Sequence, residues 1–219
     1  MSESFHDQAL CISRESANFE LAPMSVWPAN VRAEFPAPRV AKGSQSDSWI
    51  IRQSWESLLR HLFSFERFTL ETDSYYVPTT LDSAGSWDRV RVEQYDRFTG
   101  TRSRKPVLVV QLESESKLPS LYWRGQLDYE VRAGIEQMRT KCSHPVIHGI
   151  AVFGRRMAFY TKNGDESIVP PRPPFDAKLD LAPEARWELD VMTEEGAEHL
   201  KEIVKQIIAE CDRELAGSA

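Results

Sequence analysis

The chain has 219 residues, 41% hydrophobic and 10% aromatic, with 27 basic and 33 acidic side chains for a formal net charge of -6. This is enough apolar material for a sizeable core and excludes a chain disordered throughout, while the acidic balance weighs against nucleic-acid binding by the whole surface. The longest apolar runs, such as Val107 to Val110, fall far short of the roughly 20 residues of a membrane span, so no membrane partner is expected. Three widely spaced cysteines (Cys11, Cys142, Cys211) argue against a disulfide framework, and the opening MSESFHDQAL has neither the basic nor the apolar part of a leader. An intracellular protein, nuclear or cytoplasmic, is the expectation.

Residues 1–45 hold Pro23, Pro28, Pro36 and Pro38 and read as a partly irregular arm, because proline fixes φ and removes a donor. Phe19, Leu21, Met24, Val26, Trp27 and Phe35 give that arm something to bury against the domain that follows, residues 46–219. Ile51, Trp55, Leu58, Leu59, Leu62 and Phe63 recur at helical spacing after the cap candidates Ser46 to Ser48 and predict a first helix. Residues 67–77, 88–95 and 106–113 read as three strands, the last apolar enough to be central and buried on both faces. A second helix is expected at about 120–141, with Leu127, Val131, Ile135 and Met138 on its inner face and Arg124, Asp128, Arg132, Glu136 and Arg139 on another. Strands over 146–153 and 157–160 meet at Gly154, Arg155 and Arg156. A Pro-rich connector over 168–185, containing Pro170, Pro171, Pro173, Pro174 and Pro183, reads as a stiff link. Trp187 to Met192 is then a short strand, and Thr193 caps a last helix with Leu200, Ile203, Val204, Ile207, Ile208 and Cys211 facing inward. This order predicts an α/β class, an α+β sandwich with helices on both faces of a mixed central sheet.

Trp87-Asp88 opens the second predicted strand, and PVLVVQLES closes the third with Gln111 and Glu113. In this order of elements those residues resemble the restriction-endonuclease-like, PD-(D/E)XK nuclease fold, and the chain is similar to uncharacterised fungal proteins carrying such a domain. The resemblance covers roughly residues 46–214. It implies a catalytic set of Asp88, Gln111 in the place of the acid, Glu113 in the place of the lysine, and Gln137 of the second helix as a polar residue near the site. Asp88 and Glu113 would be the metal ligands. The chemistry implied is phosphodiester hydrolysis with Mg²⁺ or Mn²⁺ polarising the phosphate and lowering the pKa of the attacking water.

Alternation places Gln111 and Glu113 on one face of their strand, and Asp88 joins them only if register allows. Glutamine contributes a neutral oxygen where an anion is expected, and Glu113 puts an anion where the family has its cation. Lys117 lies four residues on, roughly 13 Å along an extended strand, and would reach Glu113 only if the loop folds back. These departures lead to the expectation of a degenerate nuclease fold, a pseudoenzyme that acts as a binding or assembly module. The alternative is a working metal-dependent nuclease on DNA or RNA.

Two other features bear on partners and metals. Arg89 to Lys105 holds Arg89, Arg91, Arg97, Arg102, Arg104 and Lys105 against Glu93 and Asp96, a local basic stretch suited to nucleic acid, although a solvated hairpin explains it as well. The excess acid lies in Glu184 to Glu214, whose amphipathic helix suits either its own sheet or a protein partner. Cys142, His144 and His148 lack the further Cys/His pair that would close a zinc site.

Overall fold

An apolar run with no alternation belongs in the middle of a sheet, covered on both faces, and the chain is built around one such run. The computed structural model describes residues 26–35, 45–77, 85–95, 104–173 and 180–217. Its elements are α1 (Ala29–Glu34), α2 (Gln45–Leu62), β1 (Phe68–Val77), β2 (Gly85–Tyr95), β3 (Arg104–Glu113), α3 (Leu121–Arg139), β4 (Val146–Phe153), β5 (Arg156–Asn163), β6 (Leu189–Asp190) and α4 (Glu194–Gly217). The class is α+β with a six-stranded mixed sheet in the order β1-β2-β3-β4-β5-β6. β1, β2 and β3 form an antiparallel meander, β4 runs parallel to β3, and β5 and β6 are antiparallel again. The one parallel step needs a crossover, which α3 supplies. β3 lies between β2 and β4 and is buried from Pro106 to Glu113.

Two apolar cores lie on the two faces of this sheet. On one, Trp55, Leu58 and Leu59 of α2 and Leu200, Val204 and Ile207 of α4 pack on Val90, Leu108, Val110, Leu112, Ile150 and Val152. On the other, Leu127, Val131, Ile135 and Met138 of α3 pack on Val109, Ala151, Phe153 and Ala158. α3 comes so close to the sheet that a Cβ at Gly149 would lie 2.8 Å from Ile135 Cδ1. Pro106 cannot donate to the ladder, and the β2–β3 register shifts opposite it, between Val92 and Glu93.

The expected elements are present, with differences at their ends. Ser46 to Ser48 fall inside α2 rather than before it, and Trp187 ends a 3₁₀ turn (Glu184–Trp187), leaving β6 only two residues. Thr193 caps α4 as expected, its Oγ1 accepting from the Gly196 N–H at 3.2 Å. Within the arm, α1 forms, and Trp27, Val31 and Phe35 are buried in the α2/α4 core, with Trp27 Nε1 donating to Val191 O at 2.7 Å. Burying Val31 and Phe35 stabilises by roughly 1.5–3 kcal/mol each before entropy is counted. Phe19, Leu21 and Met24 lie outside the described residues.

The charged face expected on α3 is not a solvated one. Arg124 and Asp128 are buried, because the segment after β5 folds back over the helix. Arg124 donates to Ala182 O and Leu118 O and pairs with Asp180, while Arg132 donates to Ile168 O and Pro170 O. The Pro-rich segment is thus strapped to α3 by guanidinium groups, which satisfy carbonyls that no ladder reaches.

Candidate functional site

Register decides which side chains meet. Asp88 pairs with Leu112, and Val90 with Val110, so Asp88 shares the α2 face of the sheet. Gln111 pairs with Arg89 and Ala151, and Glu113 with Phe153, which places both on the α3 face. A one-residue offset in a period-2 strand moves a side chain to the opposite face. The condition for Asp88, Gln111 and Glu113 to share a face is therefore not met.

Asp88 is 4% exposed at the lip of the α2 core. Its Oδ1 accepts from Ser74 Oγ, directly across on β1, at 2.5 Å and from Arg52 Nη1 of α2 at 3.4 Å. Gln111 is fully buried, and its Oε1 accepts from Arg89 Nε at 3.1 Å. Arg89 in turn faces Glu130 of α3 at 3.6 Å, and Glu130 accepts from Gln126 at 3.0 Å. The oxygen of Gln111 that would serve a metal is thus directed at a guanidinium.

Glu113 is 2% exposed, and the loop that follows it does fold back. Residues Glu115–Lys117 form a 3₁₀ turn that brings Lys117 Nζ to 2.9 Å from Glu113 Oε1 and 3.8 Å above the centre of the Trp123 ring. The same Oε1 accepts the Ser114 N–H at 2.7 Å, while the buried Oε2 has no hydrogen-bond partner among the described residues. Burial raises the Glu113 carboxyl above its ordinary value, Lys117 and the Ser114 N–H pull it down, and the Asp88 charge raises it further. The 3₁₀ turn rests on Gly154, whose φ is +62° and where a Cβ would lie 2.7 Å from Glu115 Cβ. Gly154 also donates to Glu113 O at 2.8 Å and accepts from Trp55 Nε1 at 2.9 Å, so the β4–β5 turn fixes the end of β3 from both sides.

Gln137 is not part of this group. It is exposed and lines a small crevice with Arg89, Arg91, Pro106 and Lys141 beside the beginning of β3, roughly 20 Å along the strand from Glu113. The helix residues that do reach toward the strand are Gln126 and Glu130, linked to it through Arg89. The sequence offers only their i, i+4 spacing as a signal. Lys117 meets the fold-back condition set for it, while its seat over Trp123 was concealed, because distance along an extended strand says nothing about a chain that coils.

Among the described residues no three His, Cys, Asp or Glu side chains gather to hold a metal ion. Asp88 lies on the α2 face and Glu113 on the α3 face, and the Gln111 side-chain oxygen accepts from Arg89. The Cys142 region gains partners from α4 that its spacing did not reveal: Glu214 accepts from Ser143 at 2.5 Å and Lys105 at 2.7 Å and stands 3.3 Å from His144 Nε2. Cys142 and Cys211 are buried free thiols raised by desolvation, Cys211 to about 12, and burial lowers His148 to about 4. Such thiols are poor nucleophiles and ligands.

The basic stretch is neutralised where it is described. Arg89 faces Glu130, Arg91 faces Glu71 and Asp73, Arg104 faces Glu93 and Lys105 faces Glu214. Arg97 and Arg102 lie outside the described residues. No helix among the described residues is long and apolar enough to cross a membrane. Comparison of the chain with protein-family models, with curated proteins and with solved structures finds no match.

Proposed function

We propose that the chain is a restriction-endonuclease-like, PD-(D/E)XK-type protein whose nuclease site has become a structural charge network, and that it acts as an intracellular binding or assembly module. The order helix, antiparallel three-strand meander, helix, parallel strand supports the fold reading. The observation that carries the functional reading is the register: Asp88 is held by Ser74 and Arg52 on one face, while Gln111 and Glu113 are engaged by Arg89 and Lys117 on the other. Hydrolysis of a phosphodiester needs carboxylates that converge on one phosphate, and placement on opposite faces of the sheet weighs against it. Its partner is a protein rather than a nucleic acid, since the described cations of the basic stretch already face carboxylates.

The second reading is the metal-dependent nuclease, and one observation favours it. Lys117 restores a lysine beside a buried acid, and the Asp88 charge is near enough to act on Glu113. Labelled single- and double-stranded DNA and RNA, incubated with Mg²⁺ or Mn²⁺, separate the two. The module reading expects no cleavage by folded wild type. Cleavage that disappears in both Asp88→Ala and Lys117→Ala would sink it and assign the active site to those residues.

A further inference from the structure

A second polar region lies on the outer side of α3, away from Asp88 and Glu113. Asp128 is fully buried, and three guanidinium groups surround it: Arg186 Nη1 at 2.8 Å, Arg132 Nε at 2.9 Å and Arg172 Nε at 3.6 Å. Among the described residues, one carboxylate faces three cations at this point, an excess of positive charge. Arg132 and Arg186 spend donors on the carbonyls of Ile168, Pro170 and Pro171. Arg172 makes no hydrogen bond among the described residues, and its side chain is 37% exposed. A guanidinium has five donors in a planar fork suited to a carboxylate or phosphate.

Arg132 and Arg172 open onto a groove of about 650 Å³ between α3 and residues 162–172, lined also by Tyr129, Glu136, Lys162 and Ile168 among others. That volume lies in the range of small-molecule sites. Tyr129 is 52% exposed, with Arg172 5.9 Å from its ring centre, so a flat surface lies beside the free donors. The acids of the groove lie at its far end: Glu136 pairs with Lys162 at 2.9 Å, Asp165 with Arg139 at 3.3 Å, and Glu166 accepts from Asn163 Nδ2 at 3.4 Å. The uncompensated charge therefore sits at the Tyr129–Arg172 end.

We infer that this groove binds a small organic oxyanion carrying a flat ring, with the phosphate or carboxylate on Arg172 and Arg132 and the ring against Tyr129. Neither Asp88 nor Glu113 enters the argument, so the inference stands apart from the proposal above. The test is calorimetric titration of the full chain with adenosine monophosphate, inorganic phosphate and benzoate. Saturable binding of at least one ring-bearing anion is expected, with inorganic phosphate weaker. Arg172→Ala should weaken adenosine monophosphate roughly tenfold, as loss of charge-assisted hydrogen bonds does. Tyr129→Ala should weaken it roughly fivefold while leaving inorganic phosphate unchanged. If benzoate displaces adenosine monophosphate, the head group is any oxyanion; if it does not, phosphate is required. Both side chains are at the surface, so an unchanged melting temperature confirms that the variants fold. No binding of any probe at millimolar concentration, or affinities that Arg172→Ala leaves intact, would overturn the inference.

Discussion

Glu113 and Asp128 lie on the same face of one sheet, both buried, yet they have been given opposite treatment. Asp128 is over-compensated by three arginines, and its surroundings hold down a strap of irregular chain. Glu113 has one lysine, one backbone N–H and an orphaned oxygen. Burying a charge is costly unless it is paired and hydrogen-bonded, and the two sites meet that cost differently. The Asp128 cluster organises chain that has no ladder to hold it; Glu113 sits at the end of a strand with capacity left over.

The largest effect is expected at Asp128. Asp128→Ala leaves three guanidinium groups crowded without their anion and should destabilise by about 3–5 kcal/mol, measured by denaturant unfolding. A loss under about 1 kcal/mol would mean that the strap is held by its carbonyl contacts alone. Lys117→Ala comes next, at about 1–3 kcal/mol at neutral pH, because Glu113 then loses the cation paired with it.

That second effect carries a pH signature. The Glu113 carboxyl is raised in the fold, so its contribution is fully present below its ordinary value of 4.5 and is lost as pH rises through the folded value. Removing Lys117 moves that value further up, so Lys117→Ala should cost more at pH 7 than at pH 4. Equal costs at both would place Lys117 as packing over Trp123 rather than as the partner of a carboxylate.

Glu214 gives the reverse case on a partly exposed carboxylate. Burial alone would raise it, but hydrogen bonds from Lys105 and Ser143 and the attraction of Lys105 bring it down to about 2. Its stabilisation is present above 4.5 and lost as pH falls from there toward 2. Glu214→Gln should therefore cost about 1 kcal/mol at pH 7, with the difference from wild type fading across that acid window. The smallest effect is expected at Arg172→Ala, within about 0.5 kcal/mol in stability, because its one ion pair is long and partly exposed.

Much of the architecture was legible because it rests on period. The 3.6-residue recurrence of Trp55, Leu58 and Leu59 and of Leu127, Val131 and Ile135 could only be helical, and the unbroken Val107–Val110 run could only be central. The candidate site was legible as residues but not as an arrangement. Asp88, Gln111 and Glu113 each lie buried near strand ends, yet nothing in their spacing fixed which face Asp88 would take. Asp128 was legible as part of a charged helix face but its burial was not, because the segment that covers it arrives some 40 residues later.

Periodicity, proline placement and the Thr193 cap are local properties, set by backbone geometry and by which side chains leave water. They determined the order of helices and strands and the central place of β3. Register, by contrast, is set by pairing between distant segments, and the 3₁₀ turn by the close approach of Gly154 to Glu115. Those tertiary contacts decided that Lys117 meets Glu113, that Asp88 does not join it on one face, and that three arginines converge on Asp128, because a charge finds its partner only once both have been brought out of water together.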